Sequence, residues 1–247
     1  MEDHSCFLEG LGYFGPYPSQ DMLDTIKVEC IVDLTCSSDQ LTPYSYSGKV
    51  VKFPIPDGGV PDNMKEFLVL LYEISALLEQ GLSIYIHCRG GHGRSGLVAA
   101  CILCVFRNCS PIQSLEIVTN AHRKRKNIKK KWKKMVCPHQ KDQRSWLFRQ
   151  FSPIVFSEDR RYYTNHRLNV FSYVPKSPDL SYHHILNVVT EKFKTHPESK
   201  NFLLSTGGRP FIYRVEDNFW GIIGEDGQNM MGRILSQVRR AFVTCEV

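Results

Sequence analysis

Apolar and polar positions change rhythm several times along this chain of 247 residues. "KVECIVDLT" (27–35) and the start of "GKVVKFPIPDGG" (48–59) are short, rich in β-branched residues and closed by proline or glycine, which predicts two strands. In "DNMKEFLVLLYEISALLEQ" (62–80) apolar residues recur at spacings of three and four, so a helix is expected, capped by Asp62 and ended by Gly81. "LSIYIHC" (82–88) then reads as a buried strand and "RSGLVAACILCVFRN" (94–108) as a buried helix. Strands alternating with helices predict an α/β layer around a largely parallel sheet.

"CPHQKDQRSWLFRQF" (137–151) predicts a further helix. Residues 152 to 182 carry prolines, tyrosines and charges without a steady period, as a linker or irregular segment would. A fresh pattern follows from Tyr182: helix, short helix, strand, turn, strand, glycine-rich loop and helix. The expected organisation is a first domain over 1–152, an irregular segment over 153–182, and a smaller α+β domain over 183–247.

A content of 42% hydrophobic and 11% aromatic residues excludes disorder throughout. The longest apolar run, Leu97 to Phe106, is about half of what a bilayer-spanning helix needs, so no membrane span is expected. "MEDHSCFLEGLGYF" opens on acidic residues and lacks the basic start of a secretory leader. An intracellular protein is the expectation, in cytoplasm, nucleus or both. The nine cysteines form an odd set without regular spacing, which fits a reducing compartment. Cys101 and Cys104 form a C-x-x-C pair in "AACILCVF", but apolar surroundings and the lack of a second ligand pair make it structural rather than zinc-binding.

The net charge of +6 is unevenly spread. Nine bases fall in "RKRKNIKKKWKK" (123–134) with no acid among them; without those nine, 22 bases face 25 acids, a net of −3. This segment is the candidate contact for nucleic acid or another acidic partner, and a solvated basic face is the alternative. Trp132 alone interleaves with the charges, so no stacking platform of the kind used by single-strand binders is expected.

"HCRGGHGRSG" (87–96) suits no packed core, because glycine forgoes contacts and arginine resists burial. Between a strand and a helix, its amides can converge on an anion at the positive end of the helix dipole. Glycines at 90, 91 and 93 let the loop curl, Cys88 at its base loses a proton readily in such a nest, and Arg94 can fork over two phosphate oxygens. A Walker A loop is excluded, since no lysine stands in the required place. A cysteine protease would not need small and basic residues closed by an arginine.

C-x-x-x-x-x-R-[ST] in this setting resembles the signature loop of the cysteine-dependent protein tyrosine phosphatase superfamily. "FPIPDGGVPD" followed by "HCRGGHGRSGLVAACIL" is similar to compact dual-specificity phosphatases, the group of the cyclin-dependent-kinase-inhibitor-associated phosphatase. The resemblance covers about residues 7 to 151. It implies a twisted, mostly parallel sheet flanked by helices, and two-step hydrolysis of phosphomonoesters on a phosphorylated protein, through a phosphocysteine and without metal or cofactor. Carried onto this chain, Cys88 is the nucleophile, Arg94 the phosphoryl clamp, and the amides of Arg89, Gly90, Gly91, His92, Gly93 and Arg94 the cradle. Ser95 helps expel the thiolate. Asp57 is the general acid and then base, with Asp62 as the competitor set aside because it already serves as a helix cap. His87 either supports the loop and thiolate or is satisfied by backbone. Arg89 and His92 face substrate or solvent. Cys36 falls where some members keep a redox partner for the nucleophile, a buried structural cysteine being the alternative.

The C-terminal part resembles the later half of the NADAR family, associated with NAD and ADP-ribose chemistry and N-glycosidic cleavage, chiefly through Asp217, Trp220, Gly221, Gly224, Asn229, Gly232 and Arg239. That family's earlier half, with a glutamate and a lysine on a helix, has no counterpart between 152 and 182. A ligand-binding or packing module is therefore expected rather than a glycosidase. Three functions compete: a phosphatase acting on phosphotyrosine and also phosphoserine or phosphothreonine, an RNA 5′-phosphatase or triphosphatase of the same superfamily, and a phosphate-reading pseudophosphatase. The complete set Cys88, Arg94, Ser95 and Asp57 favours catalysis.

Overall fold

A computed structural model describes residues 4–157, 182–215, 217–223 and 226–244. The chain divides into two units, Met1–Ser152 and Pro153–Val247.

The first unit is built on a five-stranded sheet. In chain order its strands are β1 (Ser5–Leu8), β2 (Gly12–Gly15), β3 (Cys30–Asp33), β4 (Lys49–Lys52) and β5 (Ile84–His87). Their order across the sheet is β1-β2-β5-β3-β4; β1 and β2 are antiparallel and every other pair is parallel. All four residues of β3 and of β5 are buried, as expected of strands covered on both faces. At the edge, β4 begins and ends on lysine and is largely exposed, which protects its free side from pairing. The hairpin β1-β2 carries no strand signal in the sequence, because SCFL and GYFG hold no β-branched residue.

Helices α1 (Gln20–Thr25), α2 (Met64–Glu79), α3 (Arg94–Phe106), α4 (Pro111–Arg123), α5 (Lys130–Lys133) and α6 (Lys141–Phe151) complete this unit. The cap of α2 is Asn63, not Asp62: the Asn63 side-chain oxygen accepts from the amides of Lys65 at 3.0 Å and Glu66 at 3.3 Å, and Asp62 stands one residue too early to reach them. Gly81 does end the helix, at φ +77°. Every residue of α3 from Arg94 to Cys104 is buried, and the helix packs on α2, α4 and α6. Gly96 in its first turn costs about 1 kcal/mol of helix propensity. Burial of Leu97, Ile102 and Leu103 at about 1.5–3 kcal/mol each outweighs that cost. A side chain at Gly96 would collide with Cys137 Sγ, so the glycine lets the next segment pass close to the helix start.

The second unit holds β6 (Ile154–Ser157), α7 (Tyr182–Thr195), α8 (Pro197–Ser205), β7 (Phe211–Arg214) and α9 (Met230–Thr244). The segment read as irregular from 153 therefore begins with a strand. β6 runs parallel to β7, with Ile154 opposite Phe211, a pairing across more than fifty residues that no local pattern reveals. The rest of that segment, 158–181, lies outside the described residues. The second strand expected after β7 is reduced to isolated bridges, Arg214 to Ile222 and Ile223 to Asp226. Phe193, Leu203, Phe211, Trp220, Ile234 and Leu235 form the core of this unit.

Candidate active site

The loop between β5 and α3 lies where the sheet's parallel strands end, the usual place for a ligand in such a layer. Cys88 leaves β5 as the floor of the loop and is 3% exposed. The Gly91 amide donates to Cys88 Sγ at 3.3 Å, and Ser95 Oγ lies 3.5 Å from the same sulfur. Gly91 is the tight point of the curl: its φ is +69°, and a side chain there would run into the backbone of Gly15 and Pro16.

Arg94 is 1% exposed and held from several directions. Nη1 donates to Asp39 Oδ2 at 2.8 Å and to the Ile55 carbonyl at 2.9 Å, while Nη2 donates to Asp39 Oδ1 at 2.9 Å. Asp57 Oδ1 stands 3.0 Å from Nη2, although its side chain is 77% exposed. Burial pulls the Arg94 pKa down, but the hydrogen bonds and charge of Asp39, with the charges of Cys88 and Asp57, more than offset it and raise it overall. The same hydrogen bonds hold the Asp39 carboxyl below its ordinary range. Arg94 Nε is buried without a hydrogen-bond partner among the described residues. A buried guanidinium N–H left open in this way calls for an acceptor.

His87 is fully buried, with Nε2 2.8 Å from the Tyr44 hydroxyl and Nδ1 3.7 Å from Asp33 Oδ1. Burial pushes its pKa down to about 4, against the pull of Asp33, so near neutral pH the Asp33 approach is contact with a neutral ring rather than an ion pair. Among the described residues its hydrogen-bond partner is the Tyr44 hydroxyl, and buried Nδ1 has none. Cys36 is half-buried, heads the short turn Ser37–Asp39 and donates its amide to Asp39 Oδ2 at 2.8 Å. Burial raises its thiol pKa, with Arg94 opposing. Cys36 and Cys88 are both free thiols.

Arg89 is exposed, as expected, but His92 is not free to face solvent. Its ring stacks on Trp132 with centroids 4.2 Å apart and 17° between planes, and its Nδ1 lies 2.9 Å from His122 Nε2. Burial lowers the pKa of His92 to about 4 and that of His122 to about 3, with Arg125 adding to both. Arg125 is the one buried base of the 123–134 run. Its Nη2 donates to the Gly91 carbonyl at 3.0 Å, to Ser5 Oγ at 3.2 Å and to the Phe14 carbonyl at 3.5 Å. Part of the basic segment is thus a brace for the loop.

Asp39, Arg125 and Gln143 are the neighbours that sequence reasoning missed. Gln143, fully buried on α6, donates to the Gly59 carbonyl at 2.7 Å and so anchors the turn that carries Asp57. Asp57, not Asp62, makes the ion pair with Arg94, although the helix-cap argument against Asp62 does not hold.

In the second unit the residues that carry the resemblance hold the fold. Asp217 Oδ1 accepts from the amides of Phe219 at 2.8 Å and Trp220 at 2.9 Å, and Trp220 is buried. Asn229 bridges β7, accepting from Tyr213 N at 3.0 Å and donating to the Phe211 carbonyl at 2.7 Å. Side chains at Gly221 or Gly232 would strike the backbone of β7. Buried Arg239 donates to Thr206 Oγ1 and the Arg209 carbonyl, each at 2.8 Å. Gly224 lies outside the described residues.

A cysteine at the floor of a strand–loop–helix turn, walled by a buried arginine, defines a cysteine-based phosphatase. Residues 20–145 match the Swiss Army Knife protein, DSP-PTPase phosphatase domain family, and the chain belongs to it. Residues 178–243 match the NADAR domain. The protein named "Putative tyrosine phosphatase 197R" of Invertebrate iridescent virus 6 is 30% identical over 260 residues, covering 93% of this chain and 88% of its own length. "Putative tyrosine phosphatase 067L" of Invertebrate iridescent virus 3 is 40% identical over 136 residues, 52% of this chain and 57% of that protein. Among solved structures, Tk-PTP in its active form is similar at a TM-score of 0.47 and 23% identity, over 60% of this chain and 94% of that one.

Proposed function

We propose that this phosphatase hydrolyses phosphotyrosine, and phosphoserine or phosphothreonine more slowly, through a phosphocysteine on Cys88. The carrying observation is Arg94: its Nη atoms are fixed by Asp39 and Ile55 while buried Nε has no partner, which leaves a rigid donor for a phosphoryl oxygen. The Gly91 amide, which donates to Cys88 Sγ, serves the same anion.

In this reading the phosphate dianion takes the place of Asp57 on Arg94 Nη2. Asp57, released from its ion pair, takes up a proton from solvent; Cys88 Sγ, as the thiolate, attacks phosphorus, the bond to the tyrosyl oxygen breaks, and Asp57 passes its proton to the leaving oxygen. Water then attacks the phosphocysteine, Asp57 takes its proton, and the S–P bond breaks with Ser95 Oγ donating to the departing sulfur. Inorganic phosphate leaves, Asp57 releases its proton to solvent and pairs again with Arg94, and the starting state returns.

The test is a substrate panel with the full chain: phosphotyrosine, phosphoserine and phosphothreonine peptides and a 5′-triphosphate RNA, followed by acid quench to trap phosphoenzyme. Phosphotyrosine hydrolysis with label on Cys88, abolished by Cys88→Ser, is the expected result. Preferential release from the RNA, or turnover surviving in Cys88→Ser, sinks the reading.

A further inference from the structure

The basic run is more than a brace. Eight of its nine bases, all except Arg125, are exposed, and the rest of the chain carries net negative charge. The run is mounted on the catalytic loop itself. Trp132 stacks on His92, and Arg125 holds the Gly91 carbonyl. Arg89 and Gly90 are the exposed parts of the loop, so a substrate must approach past them. Lys131 lies close enough to His92 for its charge to bear on that ring. Positive charge so near the phosphate cradle acts within a Debye length of about 8–10 Å at ordinary ionic strength.

The arrangement also separates candidate occupants. Trp132 is engaged by His92 in a stack, by His139 in an edge contact at 4.9 Å and by Lys131 Nζ at 4.8 Å from its centroid. A nucleic-acid base thus finds no free ring to stack on, which removes the usual sequence-tolerant contact for single strands. What remains is a set of mobile point charges, suited to carboxylates arrayed along an extended peptide.

We infer that Lys129, Lys130, Lys133 and Lys134 form a second anion subsite beside the cradle, which selects phosphopeptides with acidic residues flanking the phosphorylated one. This deepens the phosphomonoesterase reading above and rests on it.

The experiment compares two phosphotyrosine peptides that differ only in having Asp and Glu or neutral residues at the flanks, with p-nitrophenyl phosphate as the substrate without flanks. The variant is the full chain with Lys130→Ala, Lys133→Ala and Lys134→Ala, which leaves Lys131 on Trp132 and Arg125 on the loop. At low salt the unmodified protein is expected to favour the acidic peptide by about tenfold in kcat/KM, and the variant to lose that preference, with p-nitrophenyl phosphate kcat unchanged. The preference should shrink as salt is raised. A milder set, the same lysines changed to Gln, gives the same comparison should the alanines impair folding. Equal rates on both peptides while p-nitrophenyl phosphate is turned over overturn the subsite alone. A lysine-dependent preference for 5′-triphosphate RNA or for phosphoinositide vesicles over the acidic peptide overturns it too. Failure to hydrolyse p-nitrophenyl phosphate at all overturns the reading beneath.

Discussion

Asp39 grips Arg94 through two parallel hydrogen bonds of 2.8 and 2.9 Å, deep in the first unit and 55 residues apart in the chain. A planar fork bound in this way cannot rotate, so the remaining N–H edge keeps one direction.

Asp39→Asn should weaken that hold without changing shape. It is expected to lower kcat/KM on p-nitrophenyl phosphate by about 10- to 100-fold and stability by about 1–3 kcal/mol. Urea unfolding measured beside the kinetics checks both, and full activity with full stability would remove Asp39 from the positioning role.

Asp57→Asn is expected to slow phosphotyrosine hydrolysis by about 10²- to 10⁴-fold. The loss should be smaller on p-nitrophenyl phosphate, whose leaving group departs readily without a proton. Asp62→Asn should change neither rate. Steady-state assays on the two substrates distinguish the two carboxylates.

Arg125→Met leaves the Gly91 carbonyl without its donor and should cost about 2–4 kcal/mol, with kcat falling alongside. Arg125→Lys restores a charged donor but not the planar guanidinium that places Nη2 among three acceptors, so partial recovery of kcat is expected. Equal kcat in all three proteins would show that the loop holds its form unaided.

His87 gives the fold an acid-sensitive point. Its folded pKa is near 4 against an ordinary value of 6.5, so between those limits the unfolded chain binds a proton that the folded chain refuses. Stability is therefore complete above about pH 6.5 and is lost as pH falls towards 4, by about 3 kcal/mol from this group. Denaturant titrations of the unmodified protein and His87→Gln at several pH values should show a flatter acid limb in the variant; parallel limbs would contradict the assignment.

Asn229→Ala in the second unit removes both backbone bridges to β7. Faster hydrogen exchange at the β7 amides is expected, with about 2–3 kcal/mol lost locally. Unchanged exchange would mean that these bonds do not hold the strand.

The strands β3, β4 and β5 and the helices α2 and α3 were legible because each is a local pattern, a short β-branched run or a period near four, that its own residues express. The β1-β2 hairpin was not, since SCFL and GYFG hold no β-branched residue, and β6 was not, since the pairing that defines it is distant. Asp62 and Asn63 are both capping residues by type, and only side-chain reach, which the sequence does not show, makes Asn63 the cap of α2. His92 was expected at the surface since nothing local announces that a tryptophan forty residues on will lie over it.

The loop from His87 to Ser95 shows the division most clearly. Nucleophile, glycine turn, arginine and hydroxyl are contiguous, and a strand entering with a helix leaving suffices to curl them around an anion, so the reaction class could be read from one stretch of sequence. What holds Arg94 in one direction, anchors the Gly91 carbonyl and covers His92 comes from Asp39, Arg125 and Trp132. Those meetings depend on how the chain crosses the sheet and returns, and spacing along a sequence carries no measure of distance across a fold.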